Sequence, residues 1–547
     1  MQKLQKPVDP GFVPTLPNLI VHAAARFADR PFMVEEGRSV TYAEADAQSA
    51  ALAKGLIALG AGKASRIGLL VANTPDWVLW WFAAGRVGAL TQPFSTLYKA
   101  AEIEWGLGHL DTETLIIQAR YLNIDFVARL EEAIPGLKDQ TSTSLFLPSH
   151  PYLRRIIVLG ECDRPWAIGG KEAVLDAAKA QPVIDDTYLA NVQQRITPAD
   201  VLVTISTSGT TAHPKAVVHT HGTAVRITNE YLDYIDFRPD DRNLVGMPMF
   251  WVGGLNTNLL PAMHCGGTLV FAAGPKTSDM IDAIERFKVT RLPWWPIQIQ
   301  GLVKEATERG ADLSSMDHAL NARDEYGNDI PPTRRAGAFG MTETFGTHTL
   351  ARRTVPMPAS KAGALGRALP HVHLRIVDPE TGQILPPGVQ GELQVRGYTL
   401  MAGYYKVERE DVLTADGFFP TGDVCSLDED GYLYFHTRRT DMIKTSGANV
   451  APMEVERVLT SHPHVSESYV FGLPHPTRGE AVVAVVVPEK GKAPDIAELR
   501  KLTADQLSSY KVPSAILPVD EAIVPRTASG KVNKKHLAAL IMDQIDW

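Results

Sequence analysis

Residues 200–215 read DVLVTISTSGTTAHPK, an apolar run that passes directly into a cluster of Ser, Thr and Gly. The run at 201–205 is typical of a buried strand. Backbone N–H groups and hydroxyls at a strand end can surround a small anion, and a polyphosphate is the natural candidate. Gly209 permits close approach of the backbone, and Lys215 adds a positive charge on a flexible stem. A plain polar turn is the alternative interpretation of such a cluster.

The spacing of this cluster excludes one large class of phosphate-binding proteins. A Walker A loop requires Gly-x-x-x-x-Gly-Lys followed by Ser or Thr. Here Gly209 lies six residues before Lys215, and Pro214 comes between them. A P-loop NTPase is therefore not predicted.

Strands and helices alternate on both sides of this stretch. A mostly apolar helix is predicted at 77–89. Buried strands are predicted at 66–73, 114–118, 154–160, 267–272 and 373–378. This alternation favours an α/β fold of layered, largely parallel sheets. The pattern of the sequence changes after about residue 391. Residues 391–397 and 431–439 have the pattern of short antiparallel strands, and they predict a β-rich subdomain.

A second, smaller unit is predicted from residue 440 onward. Its elements are a helix near Pro452, strands at 466–472 and 481–488, a helix at 495–510, a loop at 524–531 and a last helix. A chain of 547 residues exceeds one ordinary core, so more than one domain is expected. We predict a large N-terminal nucleotide- and acyl-binding domain at 1–439. A small, mobile α+β domain is predicted at 440–547.

The composition is that of a globular protein, and it narrows the choice of partners and compartment. A net charge of −8 gives no reason to expect nucleic acid as a partner. Cys162, Cys265 and Cys425 are too few and too scattered for a disulfide framework or a zinc site. The N-terminus lacks the apolar core of a signal peptide. The apolar stretch at 251–274 is interrupted by Asn, Pro, His and Gly, so no transmembrane segment is predicted and a cytoplasmic protein is expected.

Four motifs in fixed order resemble those of the adenylate-forming superfamily, which contains acyl-CoA ligases, luciferases and the adenylation domains of peptide synthetases. The first motif is the loop quoted above. It matches the family loop at Thr207, Ser208, Gly209, Thr210, Thr211, Pro214 and Lys215. The resemblance implies that all of these except Pro214 bind ATP. The loop differs at Ala212 and Ala216, where the family usually has Gly. Each difference adds one methyl group, and phosphate binding is still expected.

The second motif is GAFGMTETFG at 337–346. On its own, the Thr-Glu pair is also typical of a capped helix N-terminus. The resemblance implies that Thr342 contacts the α-phosphate and that Glu343 holds Mg²⁺ on the nucleotide. A metal is expected because attack of a carboxylate on ATP brings two anions together. Phe339 and Gly340 are implied as part of the acyl pocket.

The third motif, at 417–435, contains Asp423, and the next block, at 437–456, contains Arg438. The resemblance implies that both support the ribose of ATP, and a carboxylate can accept from two hydroxyls at once. Thr440 occupies the position of the hinge between the domains, where the family usually has Asp or Lys. Gly447 matches a glycine beside the tunnel for the pantetheine arm of coenzyme A.

The fourth motif is PRTASGK, which ends at Lys531. A lysine in an exposed glycine loop is usually an ordinary surface residue. The resemblance instead implies a catalytic lysine that bridges the carboxylate and the α-phosphate as charge develops between them. The adenine loop of the family has no clear counterpart in the segment 318–340, where 319–322 is the nearest stand-in, so no adenine contact is assigned.

The segment 247–256, MPMFWVGGLN, aligns with the acyl-pocket block of the family. Trp251 stands where the family often has His, and Gly253 and Gly254 follow it. No carboxylate is present here to pair with an α-ammonium group, so an amino acid substrate is not expected. The prediction is an apolar acid, namely a fatty, cyclic, aryl or steroid side-chain acid. Trp294 and Trp295 are expected in the core or in a pocket wall.

The resemblance therefore implies a ligase that uses ATP and Mg²⁺ to form an acyl-adenylate and passes the acyl group to coenzyme A. Thr342, Glu343, Lys215 and Lys531 are its expected catalytic residues. No carrier domain follows Lys531, which favours free coenzyme A. Transfer to a carrier-protein pantetheine, oxygen chemistry, or a non-catalytic acyl- or nucleotide-binding relative remain alternatives. A homodimer is an open question at this point.

Overall fold

The computed structural model describes residues 10–207, 214–294, 296–324, 326–445, 448–450, 452–475, 478–507, 511–527 and 530–545. By its internal contacts the chain divides into two compact units. Unit 1 comprises Met1–Ala362, Ala368–His373 and Arg396–Gly417, and unit 2 comprises Gly363–Arg367, Leu374–Val395 and Phe418–Trp547. The boundary expected at 439/440 stays a prediction.

The strands of the described chain are numbered in chain order. They are β1 (Pro31–Glu35), β2 (Arg38–Thr41), β3 (Arg66–Leu70), β4 (Leu90–Pro93), β5 (Thr114–Gln118), β6 (Arg120–Tyr121), β7 (Ile124–Asp125), β8 (Arg155–Leu159), β9 (Ala167–Gly169), β10 (Val201–Thr207), β11 (Lys215–Thr220), β12 (Arg242–Leu244), β13 (Thr268–Val270), β14 (Ala338–Met341), β15 (Gly346–Leu350), β16 (Arg367–Ala368), β17 (Val372–Val377), β18 (Gly391–Gly397), β19 (Gly403–Tyr404), β20 (Phe419–Leu427), β21 (Leu433–Arg438), β22 (Ile443–Thr445), β23 (Ala448–Val450), β24 (Val465–His475), β25 (Gly479–Pro488) and β26 (Ala515–Pro518).

The α-helices are numbered in the same way. They are α1 (Leu16–Phe27), α2 (Tyr42–Ala58), α3 (Pro75–Arg86), α4 (Ala100–His109), α5 (Phe126–Ala133), α6 (Gly170–Lys179), α7 (Asp186–Gln194), α8 (His221–Glu230), α9 (Leu232–Ile235), α10 (Leu260–Cys265), α11 (Thr277–Phe287), α12 (Pro296–Arg309), α13 (Asp317–Leu320), α14 (Pro452–Thr460), α15 (Ile496–Gln506) and α16 (Lys534–Ile541).

An eight-stranded sheet is the centre of unit 1, in the order β19-β11-β10-β4-β3-β5-β8-β9. The run from β10 to β9 is parallel, whereas β11 is antiparallel to both β10 and β19. A second sheet of unit 1 has the order β12-β13-β1-β2. The prediction of an α/β fold with largely parallel, buried strands is confirmed.

Local sequence signals explain where the helices of unit 1 begin. At the start of α2, the Thr41 hydroxyl accepts from the Glu44 N–H at 3.2 Å, and the Glu44 carboxylate accepts from the Thr41 N–H at 2.8 Å. Helix α3 begins at Pro75, which needs no N–H partner in the first turn. Trp77, Trp80 and Trp81 of α3 are all buried. A helix with apolar residues on all sides is expected in a core, and α3 lies there.

Unit 2 contains two further sheets. The β-rich part has the order β17-β18-β20-β21, with antiparallel pairs β18-β20 and β20-β21. The C-terminal part is built around the long antiparallel pair β24-β25, with β26 parallel to β25. Helices α14 and α15 cover one side of this sheet and α16 covers the other. The β-rich part and the α+β C-terminal part are both as predicted, although α15 ends at Gln506.

Within the residues described above, none of the helices combines the length and the apolarity needed to traverse a bilayer. Trp294 packs against the core formed by residues such as Leu244, Leu292 and Leu302, so its core interpretation is supported. Trp295 lies outside the described residues.

Candidate active site

The predicted phosphate loop connects β10 to β11 at one end of the large sheet. Thr207 pairs with Lys215 in the register of these strands, and the Thr207 hydroxyl donates to the Lys215 carbonyl at 3.4 Å. The antiparallel pairing therefore closes the loop at its base. The intervening loop positions Ser208, Gly209, Thr210 and Thr211 lie outside the described residues.

A tyrosine links Lys215 to Glu343. The Lys215 ammonium lies 4.8 Å from the centre of the Tyr404 ring, within the range of a cation–π contact. The Tyr404 hydroxyl donates to Oε1 of Glu343 at 2.8 Å. Strand β19 supplies Tyr404 and pairs with β11 two residues beyond Lys215, at Val217. One aromatic side chain thus gathers the predicted phosphate lysine and the predicted metal carboxylate in unit 1.

A buried histidine holds the backbone at Thr342. His219 of β11 donates through Nε2 to the Thr342 carbonyl at 2.7 Å. Burial lowers the pKa of His219 to about 4, so the ring is neutral at neutral pH. The Phe345 ring lies edge-on to it, with centroids 5.0 Å apart. Thr342 itself begins a short 3₁₀ turn, Thr342–Thr344.

The predicted acyl-pocket residues Phe339 and Gly340 lie on β14, which pairs with β15. A Cβ on Gly340 would lie 2.2 Å from the Gly346 carbonyl oxygen, so no larger residue fits between these strands. Gly346 is just as constrained, because a Cβ there would lie 1.7 Å from Nδ2 of Asn256 and its φ is +110°. The same Asn256 amide donates to the Phe345 carbonyl at 2.9 Å. Phe339 contacts the buried His348 ring edge-on at 5.4 Å.

Trp251 and Gly253 precede a π-helical segment, Gly254–Leu259, which begins at Gly254 and runs directly into α10. The half-buried Trp251 ring meets Phe250 edge-on at 5.3 Å. A Cβ on Gly254 would lie 2.3 Å from the Pro248 carbonyl oxygen. Close packing thus explains the glycines without a ligand. Insertion of π-helical turns is frequent at functional sites, and this one turns Asn256 toward Phe345.

In unit 2, Asp423 and Arg438 form a cross-strand pair between β20 and β21. Arg438 Nε contacts Asp423 Oδ1 at 2.6 Å. The Asp423 side chain is 0% exposed, whereas half of the Arg438 side chain is exposed. Arg438 also donates to the Thr421 carbonyl at 3.3 Å. A buried carboxylate held by a guanidinium can remain ionised and accept hydrogen bonds from a diol.

Lys531 lies in unit 2, exposed, in the turn that precedes α16. Its carbonyl accepts from the Thr527 N–H at 2.7 Å. Thr440 is part of the 3₁₀ turn Arg439–Asp441, and its side chain is not described. Gly447 lies outside the described residues. The structure therefore brings together Lys215 with Glu343 in unit 1, and Asp423 with Arg438 in unit 2.

The donor set around Glu343 fits a nucleotide-borne Mg²⁺. The described residues contain no group of three or more His, Cys, Asp or Glu side chains that could hold a metal by themselves. Mg²⁺ in nucleotide sites is typically held by one or two carboxylates together with substrate phosphates. Glu343, whose carboxylate accepts from the Tyr404 hydroxyl beside Lys215, is a carboxylate that could serve as one such ligand.

Three residues of this region were missed by sequence reasoning: Tyr404, His219 and Asn256. Each contacts a residue at least 60 positions away in the sequence. Tyr404 is 61 positions from Glu343, His219 is 123 from Thr342 and Asn256 is 89 from Phe345. None of the three contacts has a local signal in the sequence, because each joins two segments that are distant along the chain.

Two known families match the chain. Residues 20–405 match the AMP-binding enzyme family, and residues 454–531 match the AMP-binding enzyme C-terminal domain. The chain belongs to the AMP-binding enzyme family. The resemblance to the adenylate-forming superfamily, inferred from four motifs, is confirmed.

Several members of the AMP-binding enzyme family resemble the chain over nearly its whole length. It is 31% identical over 517 residues to an indoleacetate–CoA ligase of Aromatoleum aromaticum, covering 92% of this chain and 94% of that protein. It is 28% identical over 535 residues to the putative acyl-CoA synthetase YngI of Bacillus subtilis, covering 96% of both. Among solved structures, ATP-bound MatB from Rhodopseudomonas palustris gives a TM-score of 0.75 at 25% identity, covering 97% of this chain and 100% of that one.

Proposed function

We propose that the protein is an AMP-forming ligase that joins an apolar carboxylic acid to coenzyme A. The contact of Tyr404 with both Lys215 and Glu343 carries this proposal, because it combines a cation and a metal-binding carboxylate beside a hydroxyl-rich loop. Such a combination suits a triphosphate with its Mg²⁺. The relatives named above support the ligase class.

In the proposed first half-reaction, a carboxylate oxygen of the acid attacks the α-phosphorus of ATP. The bond from the α-phosphorus to the bridging oxygen breaks, and pyrophosphate leaves. Lys215, Thr342 and Lys531 stabilise the negative charge that develops, and Asp423 with Arg438 holds the ribose. Bound Mg²⁺, held by Glu343, would neutralise phosphate charge.

In the second half-reaction, the thiolate of coenzyme A attacks the acyl carbon. The carbon–oxygen bond to AMP breaks, AMP leaves and a thioester forms. A free thiol has a pKa of about 8.5, so the thiolate fraction is small at neutral pH. We assign Gly447 to the path of the pantetheine arm and Thr440 to the hinge, both on the family pattern.

We propose an apolar acid because the block that contains Phe250 and Trp251 offers aromatic rings and no carboxylate. Fatty, cyclic, aryl and steroid side-chain acids are the classes to compare. The name of the indoleacetate–CoA ligase makes indoleacetate a natural first aryl substrate.

The three cysteines are all free thiols, and we propose a cytoplasmic location on that basis.

A screen tests both half-reactions together. Purified protein is incubated with ATP, MgCl₂ and each acid, and pyrophosphate release is measured with and without coenzyme A. We expect release with at least one apolar acid and an acyl-CoA product by mass spectrometry. Release without any acyl-CoA would point to a carrier-protein acceptor. No release with any acid would refute the proposed function.

A further inference from the structure

The turn that carries Lys531 is closed by its own backbone. Arg526 and Val532 form an isolated antiparallel bridge. Inside this bridge the Thr527 N–H donates to the Lys531 carbonyl at 2.7 Å, and the Gly530 N–H donates to the Thr527 carbonyl at 2.8 Å. Backbone hydrogen bonds therefore join the described residues on the two sides of the turn, and the Lys531 side chain is exposed.

Arg526 fixes the first side of this turn to β24. Its guanidinium contacts Oε2 of Glu467 at 2.7 Å and the Tyr469 hydroxyl at 3.3 Å. It also donates to the Gly530 carbonyl at 3.5 Å, within the turn itself. Glu467 and Tyr469 are two positions apart on β24 and share a face. The Tyr469 hydroxyl donates to the same Glu467 carboxylate, so the three side chains form one network.

Lys534 fixes the other side of the turn to the same strand. Its ammonium donates to the Val470 carbonyl at 3.1 Å and forms an ion pair with Glu456 of α14. Oε1 of Glu456 accepts in turn from the Val470 N–H at 2.8 Å. The two partners of the ion pair thus bind the N–H and the C=O of one residue of β24, Val470. Lys534 is also the first residue of α16, whose N-terminus is capped by Asn533.

These two anchors are more than exposed surface ion pairs. The exposed fractions of the side chains are 26% for Arg526, 29% for Glu467, 30% for Lys534 and 17% for Glu456. Each cation also donates to an uncharged oxygen at a fixed position. Solvent screening and the ordering of side chains reduce the stabilising contribution of a single exposed ion pair. They reduce it less for a partly buried pair whose cation also makes a second hydrogen bond.

We propose that Arg526 and Lys534 are positioning residues that hold the Lys531 turn on β24 from both sides. This inference rests on the proposed function, in which Lys531 acts in the adenylation step. Neither residue is assigned a contact with substrate. A displacement of about 1 Å can cost a reaction roughly 100-fold in rate, so a catalytic lysine on an exposed turn needs such anchors.

The kinetic test separates the two half-reactions. Arg526→Gln, Lys534→Gln and Lys531→Ala are compared with the wild type, using the acid that releases pyrophosphate fastest in the screen and its synthetic acyl-AMP. We expect Arg526→Gln and Lys534→Gln to lower the kcat of pyrophosphate release about 10- to 100-fold, with little change in the KM for ATP. Thioester formation from supplied acyl-AMP should stay at the wild-type rate. Lys535→Gln is the matched control, because Lys535 is exposed beside Lys534 and is expected to behave as wild type.

Conservative variants distinguish positioning from folding. Arg526→Lys keeps a charge for Glu467 and should recover part of the lost kcat, whereas Glu467→Gln should reproduce the loss. If Arg526→Gln and Lys534→Gln both adenylate at the wild-type rate while Lys531→Ala is inactive, the positioning role is overturned and the proposed function still stands. Retained adenylation by Lys531→Ala would instead refute the role of Lys531 in the proposed function.

Hydrogen exchange tests the anchors independently of any acid. In the full-length protein, the amides of Thr527 and Gly530 should exchange about tenfold faster in Arg526→Gln, because the turn opens more often. Peptides from α3, in unit 1, should be unchanged. Unchanged exchange at the turn in both Arg526→Gln and Lys534→Gln would overturn the inference. Faster exchange everywhere in unit 2 would also overturn it, since the two residues would then stabilise the whole unit.

Discussion

The Tyr404 hydroxyl donates a 2.8 Å hydrogen bond to the Glu343 carboxylate. The two residues are 61 positions apart, and the pairing of β19 with β11 brings Tyr404 to the strand that begins at Lys215. The hydrogen bond fixes one oxygen of the predicted Mg²⁺ ligand, and the ring contacts the phosphate lysine. Tyr404 therefore joins two groups that the proposed reaction uses.

Tyr404→Phe should impair adenylation, because the Glu343 carboxylate loses the hydrogen bond that orients it. The variant keeps the ring below Lys215 but loses the hydrogen bond, and bonds to charged groups are worth about 1.5–3 kcal/mol. We expect kcat/KM for pyrophosphate release to fall roughly 10- to 100-fold, with a higher MgCl₂ concentration for half-maximal rate. Titration with MgCl₂ measures both. Tyr405→Phe is the control, because Tyr405 contacts Asp111 instead, and an equal effect of both variants would contradict the prediction.

Asp423→Asn should reduce recognition of the ribose. The substitution removes the charge of a fully buried carboxylate that Arg438 contacts, and it replaces one acceptor oxygen by a donor. We expect the KM for ATP to rise by about 10- to 100-fold and the preference for ATP over 2′-deoxy-ATP to shrink. Asp430→Asn, at the exposed turn of the same hairpin, should keep the wild-type preference. Full retention of ATP preference by Asp423→Asn would count against the ribose role.

Gly346→Ala should destabilise unit 1 through a steric clash. The added Cβ would lie 1.7 Å from Nδ2 of Asn256 at a φ of +110°. Gly160→Ala is a matched control, because Gly160 also lies in unit 1, its φ is +101° and the nearest atom to the new Cβ, the Cβ of Ala119, is 3.4 Å away. We expect the loss of unfolding free energy to exceed that of the control by about 2 kcal/mol.

Urea denaturation followed by tryptophan fluorescence measures this difference. The double variant Gly346→Ala/Asn256→Ala should recover part of it, because the clashing amide is gone. Equal losses for Gly346→Ala and Gly160→Ala would show that backbone strain, and not the contact with Asn256, explains the glycine.

Acid should destabilise unit 1 through its buried histidines. Burial lowers the pKa of His219 and His221 to about 4 and of His264 and His348 to about 3. In the unfolded chain these rings bind protons near pH 6.5. The unfolded state therefore binds more protons below that pH, and the unfolding free energy falls as the pH drops from 6.5 toward 4. Each ring contributes about 1.4 kcal/mol per pH unit within this window.

His348→Phe removes one of these protonation sites and should make the pH dependence shallower by about 1.4 kcal/mol per pH unit. The exposed His373→Phe should leave the slope unchanged. Urea midpoints at pH 7, 6 and 5 provide the measurement. The same slope in the wild type and in His348→Phe would disprove the assignment.

The elements with strong local signals were predictable from the sequence. Buried strands such as β5 and β8 are continuous apolar runs, and α2 begins at a capping box. The end of α15 was predicted less accurately. The predicted helix extends to 510, whereas α15 ends at Gln506. The apolar positions Leu507 and Tyr510 continue the helical spacing, but such spacing does not mark where a helix stops.

The candidate site was predictable only as motifs. The motifs that carry Thr207, Thr342 or Asp423 could be read from the sequence, because each motif is local. The contacts of His219 with Thr342 and of Asn256 with Phe345 could not, since they depend on strand register and on the π-helical segment. Periodicity does not distinguish a π-helical turn from an α-helical one in so short a segment.

The ion pair between Glu456 and Lys534 has a consequence for self-association. Strand β24 forms an edge of its sheet, and an edge strand with free N–H and C=O groups is a template for a strand from another molecule. At Val470 both groups are already occupied by charged side chains. A foreign strand could pair at Val470 only after displacing two charged side chains, so the Glu456–Lys534 pair disfavours strand addition at this point of the edge.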